Sequence, residues 1–121
     1  MHNSLSTLDA PQTLFDALAD PTRRRLLERL AGRVEPSSIS ELTEAFPMTR
    51  QAITKHLALL EQAELVRAER RGRERLYTFA PEPLDRAAAW IASLEARWDA
   101  RFAALQRMLQ EEVDEAAGDQ P

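Results

Sequence analysis

The most chemically distinctive part of the sequence is a run of arginines around one glycine. The six-residue segment 70–75 contains Gly72 and four arginines: Arg70, Arg71, Arg73 and Arg75. Like charges this close repel one another in a plain surface hairpin, whereas a row of phosphates would neutralise them and release counterions. The pattern favours contact with a phosphate backbone or a minor groove. Pairing with Glu69 and Glu74, which would give an ordinary solvated hairpin, is the alternative.

A second group of polar side chains precedes the arginines and has the spacing of a helix face. Its members are Thr49, Arg50, Gln51, Thr54, Lys55 and His56. We interpret Arg50, Gln51 and Thr54 as candidate readers of base edges and Lys55 as a phosphate anchor. His56 lies beside the apolar stripe, so packing, a hydrogen bond to backbone or phosphate, and a pH switch all stay open. An ordinary solvated helix face is the alternative for the whole group.

The net charge of the whole chain conceals this basic region. The formal charge is -4, from 16 basic and 20 acidic residues. Residues 47–75 carry seven basic and four acidic side chains, which leaves +3 on this segment and -7 on the rest. Because fields between exposed charges act within a Debye length of about 8 to 10 Å, a local basic face can bind DNA while the acidic remainder points away.

Capping residues and apolar spacing indicate the helices that would present these side chains. Apolar residues after Pro11 predict a first helix that ends near residue 19, and Asp20 followed by Pro21 predicts a second that ends at Gly32. Residues 38–41 have the spacing of a capping box and start a third helix. After a three-residue turn, Thr49 caps a fourth helix that we expect to end near residue 63. The third and fourth helices form a helix-turn-helix.

The rest of the chain predicts a hairpin and one long helix. We expect strands over residues 65–70 and 75–79, with Pro81 and Pro83 closing the second strand. A helix with a narrow apolar seam is expected over residues 84–115. The first and last helices are expected to pair two copies of the chain. The interface residues predicted for this dimer are Leu14, Phe15, Leu18, Ile91, Leu94, Trp98 and Leu105.

The length of 121 residues favours one domain. We expect a flexible segment over residues 1–10, a winged helix-turn-helix region over 11–83, a dimerisation helix over 84–115 and a disordered tail over 116–121. There is no cysteine, which excludes disulfides and thiolate metal sites. No membrane helix, signal peptide or catalytic constellation is recognisable. We therefore expect a cytoplasmic protein that is not an enzyme and carries no cofactor.

The order and spacing of these motifs resemble the ArsR family of bacterial winged-helix transcription regulators. The resemblance covers residues 14–27, the helix-turn-helix at 39–42 and 48–60, and the hairpin at 65–66 and 71–77. It implies a mainly α fold of the order α-α-α-α-β-β-α and a sequence-specific regulator of transcription. A repressor that binds a near-palindromic operator in double-stranded DNA as a homodimer would fit it. Glu64 stands where the family commonly has glycine.

The last helix, with Trp90 and Trp98, is more similar to the SdpR-type branch of the family than to its metal sensors. The thiolate motif of the sensors would align with residues 38–40, which are Ser-Ile-Ser, and the last helix has no histidine. We therefore expect no metal effector, while a small-molecule or protein effector stays open. The rival interpretation is a winged-helix module that binds an acidic protein partner through the same basic face.

Overall fold

Five helices and three short strands make up residues 11–118, which are the residues described by this computed structural model. In chain order the elements are α1 (Gln12–Leu18), α2 (Pro21–Ala31), β1 (Ser37–Ser38), α3 (Ile39–Ala45), α4 (Arg50–Gln62), β2 (Val66–Arg71), β3 (Glu74–Phe79) and α5 (Glu82–Gly118). The flexible segment expected over residues 1–10 and residues 119–121 of the expected tail lie outside the described part. Residues 116–118 of that tail belong to α5 instead.

Side-chain caps start α2, α3 and α4 where the sequence predicts them. In each case an oxygen outside the helix accepts a hydrogen bond from one of the first backbone N–H groups, which have no partner within the helix. The pairs are Thr22 N to Asp20 Oδ1 at 3.1 Å, Glu41 N to Ser38 Oγ at 3.2 Å, and Ala52 N to Thr49 Oγ1 at 3.1 Å. Local sequence therefore fixes the start of both helices in the helix-turn-helix.

The C-terminal end of α1 is stabilised by arginines of α2. Arg23 donates from Nε to the carbonyl of Ala17 at 2.6 Å and from Nη2 to that of Asp16 at 3.0 Å. Arg24 donates to the carbonyl of Leu18 at 2.5 Å. These contacts are favourable because the C-terminal end of a helix carries a partial negative charge that attracts cations. They connect the end of α1 to the start of α2.

The hydrophobic core is built from all of the first four helices and the sheet. Its most deeply buried side chains include Leu26, Leu42, Ile53, Leu57, Leu60 and Leu65. Leu14 also lies in this core with 4% of its surface exposed, so the expectation that it serves a dimer interface is corrected. Its neighbours Phe15 and Leu18 are only partly buried against the core.

The hairpin belongs to a three-stranded antiparallel sheet of order β1-β3-β2, which adds one short strand to the expected order of elements. The extra strand β1 lies between α2 and α3, where Ser37 pairs with Tyr77 and Ser38 with Leu76. A strand of two serines has no alternating pattern and low β propensity, so the sequence gives no signal for it. Its effect is to join the start of α3 to the middle of β3.

A two-residue turn closes the hairpin. The last paired residues are Arg71 and Glu74, so β2 is shifted by one residue from the expected range and β3 begins one residue earlier than expected. Only Gly72 and Arg73 form the turn. Gly72 has φ 62°, whereas Arg73 does not have a positive φ. A glycine at the first position with positive φ is typical of a type II′ turn, whose twist matches that of the strands.

The long helix α5 begins at Glu82, two residues earlier than expected. Pro83 therefore lies within its first turn and is buried there, instead of closing β3. A proline is tolerated in the first turn because its missing N–H would have no helical partner. Within the described chain, residues 11–88 form one compact unit and residues 89–118 of the helix form a second. None of the helices in the described part of the chain is long and apolar enough to cross a membrane.

Helix α4 ends in a Schellman motif in which Glu64 takes the left-handed position. The Leu65 N–H donates to the Leu60 carbonyl and the Glu64 N–H to the Glu61 carbonyl, both at 2.9 Å. Glu64 has φ 61°, the one positive φ of a non-glycine residue in the described chain. A side chain in this region carries a strain of roughly 1 to 2 kcal/mol, because its Cβ approaches the following carbonyl.

We expect Glu64→Gly to stabilise the protein by about 0.5 to 1 kcal/mol, since the strain relieved exceeds the added backbone entropy of glycine. The exposed contact between Glu64 and Arg86, at 3.7 Å, contributes little. Urea unfolding would measure the change. Gln62→Gly is the matched control, because Gln62 is exposed within α4. This substitution should lower the free energy of unfolding by about 1 kcal/mol. Equal destabilisation by both substitutions would contradict the strain at Glu64.

Candidate nucleic-acid interface

One face of α4 is buried and the opposite face carries the polar side chains picked out in the sequence. Ile53, Leu57 and Leu60 have no exposed surface, so α4 cannot rotate about its axis without losing core packing. The residues on the exposed side are Thr49, Arg50, Gln51, Thr54 and Lys55. The structure therefore brings five of the six predicted residues of this group onto one solvent-facing surface.

The side chains of this surface differ in the hydrogen bonds that they make within the chain. Thr54 donates its hydroxyl to the Arg50 carbonyl at 2.8 Å, and Arg50 donates from Nη1 to Ser40 Oγ at 3.1 Å. The side chains of Gln51 and Lys55 make no hydrogen bond to another residue of the described chain. Gln51 thus keeps a complete set of amide donors and acceptors, and Lys55 keeps its charge unpaired.

His56 is the member of the group that lies apart. Its side chain is 20% exposed and directs Nδ1 towards Asp20 Oδ2, 3.4 Å away. Asp20 also caps α2 and contacts Arg23 at 3.4 Å. Of the alternatives open from the sequence, the structure shows a partly packed histidine that joins α4 to the start of α2.

Two of the four hairpin arginines have a carboxylate partner in the described chain and two do not. Arg71 Nε lies 3.3 Å from Glu69 Oε1, as the solvated-hairpin alternative predicted, and Arg75 is bound by Glu61 of α4. Arg70 and Arg73 make no ion pair with any residue in the described range 11–118. The expected pairing with Glu74 is not among the ion pairs of that range, and the role of Glu61 has no signal in the sequence because it is 14 positions from Arg75.

The contact between Arg75 and Glu61 is the most developed ion pair of the region. Arg75 Nη2 lies 3.0 Å from Glu61 Oε2 and 3.1 Å from Oε1. The hydrogen bond and the negative charge of Glu61 both raise the pKa of Arg75 above its ordinary value. Arg67, near the start of β2, also forms an ion pair, in its case with Glu82.

Charge compensation within residues 47–75 leaves four cations without a carboxylate partner in the described chain: Arg50, Lys55, Arg70 and Arg73. Two are on the exposed face of α4 and two are on the hairpin, which are the two elements that the sequence pairs as a reader and a wing. Such a surface is suited to polyanionic ligands. Among residues 11–118 there is no group of three or more histidine, cysteine or acidic side chains that could hold a metal ion.

Comparison with known proteins gives consistent matches. A family model described as a helix-turn-helix domain matches residues 18–69. The HTH-type transcriptional regulator Rv2034 of Mycobacterium tuberculosis is 33% identical over 111 residues, covering 92% of this chain and 99% of that protein. The transcriptional repressor SdpR of Bacillus subtilis is 29% identical over 86 residues, covering 71% of this chain and 93% of that protein.

Solved structures agree with these relatives. An ArsR-like transcriptional regulator from Rhodococcus sp. RHA1 has a TM-score of 0.72 and 33% identity, covering 87% of this chain and 94% of that one. A crystallised ArsR family transcriptional regulator, RHA00566, has a TM-score of 0.68 and 35% identity, covering 82% and 97%. The resemblance seen in the motifs is confirmed across both helix-turn-helix and hairpin: this chain belongs to the ArsR family of winged helix-turn-helix, DNA-binding transcription regulators.

Proposed function

We propose that the protein is a repressor that binds a near-palindromic operator as a homodimer, with α4 in the major groove and the hairpin as a wing on the phosphates. The observation that carries this proposal is the set of four cations without carboxylate partners in the described chain, shared between the exposed face of α4 and the hairpin. Relatives named as repressors, such as SdpR, support the direction of regulation.

Gln51 is the side chain best placed to read sequence. It is exposed on α4 and its amide makes no hydrogen bond to another described residue, so it can present a donor and an acceptor together to an adenine edge. Arg50 is held by Ser40 and Thr54 is held by the backbone, which pre-orients them for base or phosphate contacts. Lys55 and the N-terminal end of α4 at Thr49 would position the helix on the backbone. His56 would act on DNA through the orientation of α4.

The wing contacts are assigned to Arg70 and Arg73, with Arg71 able to exchange Glu69 for a phosphate. The pair of Arg71 and Glu69 is exposed on both sides, at 61% and 64%, so it is worth little in water and is easily replaced. A phosphate offers a stronger, charge-assisted partner to the same guanidinium. Arg75 differs because it already has a partner on α4.

The homodimer is inferred from an uncovered apolar face on the second unit. The large apolar side chains of this face are between 43% and 66% exposed: Ile91, Leu94, Trp98, Phe102, Leu105, Met108, Leu109 and Val113. A contiguous stripe of this size is typical of an interaction surface. A two-fold dimer would also place two reading helices on successive major grooves, about 34 to 36 Å apart.

The spacing of the stripe indicates how two such helices would cross. From Ile91 to Val113 the seam steps by three, four and four residues, and then repeats that order. This is an 11-residue repeat of about 3.67 residues per turn, which favours a right-handed crossing. A left-handed coiled coil needs a 7-residue repeat instead. Phe15 and Leu18 of α1 would add contacts with the partner.

Gln51→Ala should reduce the preference for the best-bound DNA sequence by about 10-fold over a scrambled duplex, because a bidentate base contact contributes roughly 1 to 3 kcal/mol of discrimination. Arg73→Gln should instead weaken binding to both duplexes. It should also lower the slope of log affinity against log salt concentration by about one. Fluorescence anisotropy at several salt concentrations measures both. Loss of affinity without loss of preference in Gln51→Ala would contradict its reading role.

Trp98→Glu should convert the dimer into a monomer, raising the dissociation constant of the dimer at least about 100-fold, since a charge would be buried at the centre of the stripe. Sedimentation equilibrium measures this constant. Ala100→Glu is the matched control, because Ala100 lies on the opposite face of α5 and is exposed. A Trp98→Glu protein that dimerises as tightly as the control would rule out the stripe as the dimer interface.

A further inference from the structure

Arg75 differs from the other wing arginines because its guanidinium is bound to the helix that would read the DNA. It lies on β3, and its Nη2 atom donates to both carboxylate oxygens of Glu61, at 3.0 and 3.1 Å. Glu61 is in the last turn of α4, one residue before the helix ends. The pair therefore links the wing to α4 across 14 positions of the chain.

The register of the sheet explains why a carboxylate is needed at this point. Arg70 of β2 and Arg75 of β3 are directly opposite each other in the antiparallel ladder. Opposite residues share one face of a sheet, and like charges there are destabilising. Glu61 compensates one of the two charges, and Arg70 keeps its own without an ion-pair partner in the described chain.

The guanidinium of Arg75 also lies over an aromatic ring. Its guanidinium carbon lies 5.9 Å from the centre of the Tyr77 ring, and Tyr77 is 3% exposed and thus fixed in the core. A cation over an aromatic face is attracted by the ring quadrupole. The buried ring and the Glu61 carboxylate together hold the guanidinium against α4.

We propose that Arg75 is a positioning residue that sets the wing relative to α4 through Glu61 and does not itself contact DNA. This revises the sequence-based prediction that placed Arg75 with the phosphate contacts, and it rests on the proposed function, in which α4 and the wing act on DNA together.

The salt dependence of DNA binding separates a positioning role from a phosphate contact. Each phosphate neutralised by a cation adds about 0.9 to the slope of log affinity against log salt. Arg75→Gln should leave this slope unchanged for the full-length protein, while its preference for the best-bound duplex over a scrambled one falls about 3- to 5-fold. Arg73→Gln is the matched control, one wing cation replaced in the same way, and should lower the slope by about one.

Glu61→Gln shows whether Arg75 acts through its partner. In the Glu61→Gln background, adding Arg75→Gln should change the sequence preference by less than 2-fold, because the link is already broken. Thermal unfolding of each variant checks that the fold is retained. Both partners are more than a third exposed, so little stability should be lost.

A slope lowered by about one in Arg75→Gln, as in the control, would overturn the proposal and make Arg75 a phosphate contact. An equal loss of preference in both backgrounds would also overturn it, because Arg75 would then act independently of Glu61. If Arg73→Gln leaves the slope unchanged while Arg75→Gln behaves as expected, the wing contacts of the proposed function fail and the positioning role stands.

Discussion

The burial of one side of α4 is the constraint on which the rest of the structure depends. Ile53, Leu57 and Leu60 are fully enclosed by the core, and that packing determines which side chains of the same helix face outward. A helix held in this way presents Gln51 and its neighbours in a fixed direction without any contribution from a ligand. The cap at Thr49 and the Schellman motif at Glu64 define its two ends, so the length and the rotation of this exposed surface are both set within the chain itself.

The charged side chains of this region fall into two groups, those paired within the chain and those without a partner in its described part. A chain of net charge -4 presents a basic surface because residues 47–75 carry seven basic and four acidic side chains. Two of these acids form ion pairs with arginines of the same segment, Glu61 with Arg75 and Glu69 with Arg71. The cations left over lie on α4 and at the tip of the hairpin. Charges that are paired within the chain shape the site, and charges that have no partner there are the ones available for phosphates.

Features that depend on residues close together in the chain could be predicted from the sequence, and features that depend on distant residues could not. Asp20, Ser38 and Thr49 act on backbone groups two or three residues away, so the helix starts were readable and are confirmed. Strand β1 and the partner of Arg75 depend on residues far apart in the chain, which no periodic pattern records. Leu14 shows a third limit: helical spacing marks it as buried, but it does not distinguish the core of one chain from an interface between two.

The central claim is that two copies of this surface read one DNA site, in contrast to a module that holds an acidic protein partner. Selection of genomic fragments by the purified protein tests it most directly. We expect enrichment of one inverted repeat whose half-sites are about 10 base pairs apart from centre to centre, the spacing of successive major grooves on one side of the duplex. Recovery of fragments with no shared sequence, or of a single half-site without symmetry, would contradict the account.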